Sequence, residues 1–183
     1  MPCHMQALGI DAETILTCEC KPKFAKFLEA EHGDRIQHHM SSLSALATKN
    51  VTRCSWHGTA CPGVAPSALD EERIDILTAG PPCQPYTIKR MRNGVGACGK
   101  VQEHPLFHAS WDMLLEVVSI WRPRAIVLEQ VPAFDTPTDD GGDDTWCQLF
   151  QEALADMGYA SEMFMMQLSA WVEVRRDRSS QLH

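Results

Sequence analysis

Residues 74–87 read IDILTAGPPCQPYT. The stretch 74–78 has the length and the Ile, Leu and Thr content of a β-strand. It leads into Gly80, and prolines at 81, 82 and 85 then close around Cys83. Proline fixes its own φ and restricts the residue before it, so the backbone on both sides of the thiol is stiffened. A thiol held in one place at the end of a strand is a poor packing device and a good reagent. Which role applies depends on what flanks the strand.

Outward from this stretch, strands alternate with helices. Residues 14–18 form a strand candidate ending at Glu19. Pro22 suits the first turn of a helix, Phe24, Phe27 and Leu28 share one face, and Gly33 stops it. Residues 35–40 read as a weak strand. Residues 49–68, rich in Ser, Thr, Gly, Pro and Cys, read as an inserted loop, and 91–100, with Gly94, Gly96 and Gly99, as a mobile one. Helical spacing returns over 106–121 through Phe107, Trp111, Leu114, Leu115, Val118 and Trp121, and Arg122-Pro123 ends it. The run AIVL at 125–128 is apolar throughout, as expected of a strand buried on both faces. After a loop over 132–142 comes an amphipathic helix over 144–157 with Gly158 as its C-cap, and 162–168 is a candidate last strand. This alternation implies βαβ units and a mostly parallel sheet. Ligands of such sheets bind beyond the carboxyl ends of the strands, where Glu19, the Cys83 loop and Glu129 all fall.

Composition sets the outer bounds. The 183 residues suit one domain, and 44% hydrophobic residues with a mean hydropathy of -0.22 describe an ordinary globular chain. No run is long and apolar enough for a transmembrane helix and no signal peptide is read, so the nucleus or the cytoplasm is the expected location. The eight cysteines are irregularly spaced and form no C-x-x-C pair. No metal site is assigned on that basis; Cys54 and Cys61, with His57 between them, are the best remaining candidates, against loop thiols as the plain alternative. The formal charge of -8 argues against a nucleic-acid partner. However, Lys89, Arg90, Arg92 and Lys100 cluster just after the Cys83 loop, opposed there only by Glu103, and such a patch attracts phosphate locally.

A cysteine nucleophile needs a lowered pKa or a substrate activated in concert. Glu129 follows its apolar strand directly and is expected to be pinned and partly buried there. A carboxyl so placed can serve as an acid or a hydrogen-bond donor. Thiol and carboxyl together suit attack on an electron-poor ring, where the acid neutralises charge developing on a ring nitrogen. A small cysteine hydrolase is the rival enzyme reading and would require His104 or His108 to align with Cys83.

The segment 75–87, DILTAGPPCQPYT, resembles the active-site signature of the cytosine-5 DNA methyltransferases, with Thr87 standing where Ser is usual. RPRAIVLEQV, ending in Glu129-Gln130-Val131, resembles the family's second core motif, with Gln130 in place of Asn. ILTCEC resembles the strand whose acidic residue, here Glu19, meets the cofactor ribose. EVRRDR, 173–178, resembles a worn Gln-x-Arg-x-Arg motif, with Val174 in place of Gln. The resemblance implies a Rossmann-like, mostly parallel, truncated α/β sheet: a partial catalytic domain over 1–183 with an insertion at 49–68. It implies that Cys83 attacks C6 of a flipped cytosine, that Glu129 holds the N3 edge, and that C5 takes a methyl group from S-adenosylmethionine. Arg176 and Arg178 would bind the target nucleotide or hold the catalytic loop. Glu19, Cys20 and Pro81 would contact the cofactor, and Gln84, Lys89, Arg90 and Arg92 the nucleic acid.

The departures shape the rest of the expectation. The family's opening strand and Phe-x-Gly-x-Gly cofactor loop have no counterpart in MPCHMQALGI, and Ser41 falls nearest the place of the Asp that meets the adenine. The missing strand is normally central, between the strands ending at Glu19 and at Gly80, so the sheet should show a gap or pair in another order. The isolated chain is therefore expected to bind S-adenosylmethionine weakly or not at all. DNA is the expected substrate. Transfer RNA is the alternative, because that branch shares the Thr after the aromatic residue. A third possibility is a non-catalytic copy acting through a protein partner that completes the sheet.

Overall fold

The computed structural model describes residues 9–48, 53–61, 74–87, 99–138 and 141–166. Two βαβ units make up its frame. In the first, β1 (Thr14–Cys18) leads through α1 (Pro22–His32) to β2 (Ile36–Met40), with Thr14 opposite Ile36 and Cys18 opposite Met40. A short helix, α2 (Leu43–Leu46), follows. In the second unit, β3 (Ile76–Ala79) connects through α3 (Phe107–Ser110) and α4 (Asp112–Trp121) to β4 (Ala125–Leu128), with Ile76 opposite Ala125 and Ala79 opposite Leu128. The last helix is α5 (Trp146–Asp156). Both strand pairs are parallel, as the alternation of elements predicts.

The expected single sheet is not found among the described residues. β1 pairs only with β2 and β3 only with β4, giving two separate two-stranded sheets. The break falls between the strands ending at Cys18 and at Ala79, where the sequence anticipates a gap. Helix α4 serves both halves: Leu114 and Val118 bury into one hydrophobic cluster, and Val117 into another with Met40, Leu46, Cys54 and Cys61. The Trp121 indole N–H donates to the Leu46 carbonyl at 2.8 Å and ties α4 to α2.

The larger cluster is aromatic. Tyr86, Phe134, Trp146 and Phe150 are buried with Val101, Leu114, Val118 and Leu154, and Phe107 and Trp111 pack against them. Leu77, Ala79, Ile126 and Leu128 cover this cluster from one face of β3–β4. Their neighbours face outward: Ile76 is 42% and Val127 56% exposed. The strand at 125–128 is therefore buried on one face only, contrary to the expectation from its unbroken apolar run. With period-two side chains and a single layer beneath, the second face has nothing to cover it among the described residues.

Two other expectations need correction. The helix read over 106–121 is two helices, interrupted at Trp111, whose φ of -125° and ψ of -77° leave the helical region. The break seats the Trp111 ring against Phe107, Trp146 and Phe150, so tertiary aromatic packing overrides helical periodicity. Residues 162–166 of the candidate last strand carry no strand, and Phe164, Met165 and Met166 are exposed. The apolar face of α1 is also uncovered, Phe24 being 55% and Phe27 58% exposed. The termini of α5 follow their local signals. Thr145 and Gln148 form a reciprocal capping box. Gly158, at φ +88°, lets the chain leave the helix. The described part of the inserted loop, 53–61, is a tight turn closed by a bridge between Arg53 and Ala60.

Candidate active site

Gly80 and Glu129 leave the neighbouring strands β3 and β4 at the same end. The register that sets Ala79 opposite Leu128 continues one step further, where the Glu129 amide donates to the Ala79 carbonyl at 2.9 Å. A Cβ placed on Gly80 would stand 3.9 Å from Oε2 of Glu129, so the carboxylate lies against the first residue of the proline-rich loop. The glutamate backbone is pinned as expected. Its side chain is exposed rather than partly buried, and among the described residues no group partners it. β4 is too short and too thinly covered to wall it in.

Cys83 is half-buried and begins a 3-10 turn, Gln84–Tyr86. Its carbonyl accepts from the Tyr86 amide at 3.1 Å. The turn closes where the Thr87 amide (3.2 Å) and hydroxyl (3.0 Å) both donate to the Gln84 carbonyl. A threonine hydroxyl does this as well as a serine hydroxyl, so the one mismatch to the signature is structurally silent. Gln84 is exposed and Pro81 half-buried.

The mount of this loop is a pair of residues absent from the predicted site. Pro85 and Tyr86 are among the most deeply buried side chains of the molecule. The Tyr86 ring meets Phe134 edge-on at 4.8 Å and 81°, and packs against Phe107 and Trp146. Its hydroxyl lies 3.3 Å from Oγ of Ser110. Burial pushes the Tyr86 phenol up to about 12, with the Asp112 charge adding to the shift and the Ser110 hydrogen bond opposing it. Phe134 sits in the 3-10 turn Pro132–Asp135, five residues beyond Glu129, so the segments after Cys83 and after Glu129 meet in the same core. The aromatic position of the signature was the only sequence signal for this anchor. Gln130, next to Glu129, folds its Oε1 onto the Val131 amide at 3.0 Å, and its Nε2 is buried without a partner among the described residues.

The other predicted residues fall elsewhere. Glu19 ends β1, in the other sheet; its amide donates to the Met40 carbonyl at 3.1 Å. Its Oε1 accepts from the Lys21 amide at 2.7 Å, where α1 begins. One carboxylate oxygen is thus oriented by the helix start, and the other suits a diol. That acceptor fits the ribose hydroxyls of the expected cofactor; Cys20 beside it is exposed. Burial, aided by Cys20 and Glu19, pushes the neighbouring Cys18 thiol up to about 11. Lys89, Arg90, Arg92, Arg176 and Arg178 lie outside the described residues. Neither histidine of the hydrolase reading engages Cys83: His104 is buried and accepts from the Leu106 amide, and His108 pairs with Asp112 at 3.0 Å.

Two parallel βαβ units, with a proline-mounted thiol and a carboxylate at adjacent strand ends, are the parts of a Rossmann-like α/β fold. The family model of the C-5 cytosine-specific DNA methylases matches residues 6–173. The chain belongs to that family, whose members use S-adenosylmethionine as methyl donor and act on DNA. No curated protein and no solved structure matched it. None of the described helices is long and apolar enough to cross a membrane.

Proposed function

We propose that this chain methylates C5 of cytosine in DNA through a transient covalent bond from Cys83. The observation that carries the reading is the common exit of the Cys83 loop and Glu129 from adjacent parallel strands, with the Glu129 carboxylate against Gly80. A cytosine flipped out of the duplex presents C6 to the thiol and N3 to the carboxyl. The Cys83 sulfur adds to C6, and Glu129 stabilises the charge that moves to the N3 edge, leaving C5 electron-rich. S-adenosylmethionine, when bound, supplies the methyl group, and Glu19, Cys20 and Pro81 are the residues assigned to hold it. Loss of the C5 proton then expels Cys83 and restores the ring. Arg176 and Arg178 are assigned to the target nucleotide, and Gln84, Lys89, Arg90 and Arg92 to the nucleic acid around it.

The test uses the full chain with 5-fluorocytosine, whose C5 fluorine blocks the final elimination, and with S-adenosylmethionine in large excess to offset the weak binding expected of it. A denaturation-resistant adduct with substituted duplex DNA is expected. It should be abolished in Cys83→Ala and slowed by about 10²-fold or more in Glu129→Gln. An adduct with substituted transfer RNA instead of DNA would reassign the substrate, and no adduct with either would overturn the reading. The two unjoined strand pairs favour one further possibility. Among the described residues β1 and β3 each carry an unpaired edge, which a strand from a protein partner could join. A chain that stays monomeric alone and with a relative of the same family, by light scattering, would exclude that role.

A further inference from the structure

On the face of β2 turned toward Met40 and Val117, two thiols and two imidazoles converge from three places in the chain. His38 comes from the middle of β2, Cys54 and Cys61 from the two ends of the 53–61 turn, and His57 from its tip. One ligand atom from each lies within 4.8 Å of all the others. Nδ1 of His57 is already 3.2 Å from Sγ of Cys61. Cys54 is fully buried and Cys61 is 9% exposed, while Nδ1 of His38 is buried with no hydrogen-bond partner. An orphaned buried nitrogen of this kind is unfavourable, and an ion bound to it would relieve the deficit.

We propose that His38, Cys54, His57 and Cys61 form a four-coordinate structural zinc site. Thiolate and imidazole ligands select zinc over the oxygen-seeking cations. With Zn–S near 2.3 Å and Zn–N near 2.0–2.1 Å, the edges of a tetrahedron are roughly 3.3–3.8 Å long, so the widest pair needs to close by about 1 Å. All four positions are filled by protein, the mark of a structural rather than a catalytic zinc. Binding exchanges the two thiol protons for the ion, and both protons leave to solvent.

The surrounding fold is built to present these ligands. The Cys54 amide donates to the Thr59 carbonyl at 3.0 Å and the Gly58 amide to the Cys54 carbonyl at 2.9 Å, with Gly58 at φ +65°. The Ser55 amide then donates to the His39 carbonyl at 2.8 Å, laying the turn along the free edge of β2. Trp56 stacks on His39, which points to the opposite face from His38. The ion would clamp this wrapped turn onto a sheet of only two strands. Methyl transfer uses none of these residues, so the inference stands or falls apart from the proposed reaction.

Metal content of the full chain, purified under reducing conditions, tests it. About one zinc per chain is expected. After chelation, added Co²⁺ should give the strong visible absorption of a tetrahedral ion, with a thiolate charge-transfer band corresponding to two sulfurs. Both signals should be lost in the Cys54→Ser/Cys61→Ser double variant and kept in Cys20→Ser/Cys147→Ser. His38→Ala should lose tetrahedral character. A folded wild-type chain that neither retains zinc nor develops the tetrahedral cobalt spectrum would overturn the proposal. So would a cobalt spectrum that survives loss of Cys54 and Cys61. Should the double variant fail to fold, the sulfur count of the wild-type spectrum decides alone.

Discussion

Replacing Tyr86 by alanine should remove the mount of the Cys83 loop and unsettle the core beneath it. The ring is 2% exposed and touches Phe107, Phe134 and Trp146. Removing such an aromatic costs about 3–5 kcal/mol, which for a chain of this size lowers Tm by roughly 6–20 °C. Tyr86→Phe separates ring from hydroxyl. It gives up one long hydrogen bond, and Ser110 keeps its bond to the Phe107 carbonyl at 3.0 Å, so the loss should be about 1 kcal/mol or less. A double-mutant cycle with Phe134→Leu should return a coupling of about 0.5–1.5 kcal/mol from the edge-on ring pair. The phenol adds a pH signature. Its pKa is raised in the folded protein to about 12. The unfolded chain therefore loses this proton first, and stability that is intact below pH ~10 falls as the pH climbs toward 12, by about 2–3 kcal/mol in all. Circular dichroism melts at neutral and alkaline pH, with tyrosinate absorbance followed at each step, give all four quantities. An alanine variant less than about 1 kcal/mol weaker, or an alkaline loss of stability equally large in Tyr86→Phe, would refute the role of Tyr86 as anchor.

Other outcomes follow from single contacts. Thr145→Ala removes the capping box of α5 and the hydroxyl bond to Asp135, and should cost about 1–2 kcal/mol in urea unfolding. Arg124→Ala breaks an ion pair with Asp75 whose side chains are 68% and 75% exposed; thermal melts should shift by less than about 1 kcal/mol equivalent. In maleimide labelling at pH 8 the exposed Cys20 should react well before Cys18, whose burial raises its pKa, as mass spectrometry of peptides can read. Gly158→Ala forces a Cβ into φ +88° with nothing to clash against, so its cost should be conformational alone, about 1 kcal/mol.

Local signals carried much of this protein. The strand at Thr14–Cys18, the helix opened by Pro22, the strand at Ala125–Leu128 and the exit of α5 at Gly158 all stand where the residues place them. Each depends on neighbours in sequence: a proline at a helix start, a left-handed glycine, a short apolar run. The common exit of the Cys83 loop and Glu129 from neighbouring strands was legible too, because parallel strands in a βαβ unit must end on the same side.

What lies across the chain was decided only in three dimensions. Periodicity cannot say whether a second layer covers a sheet, so AIVL is buried on one face and Glu129 is exposed. It cannot foresee that Trp111 leaves its helix to join an aromatic core. The proline-rich loop is stiff by sequence alone, but it is held in place because Tyr86 reaches Phe134 and Ser110, distant residues that folding brings beneath it. The turn Cys54–Cys61 offered three metal-binding side chains by sequence, one short of a tetrahedral set. The fourth, His38, lies on a strand well upstream, and only the wrapping of the turn around the edge of β2 brings it into place.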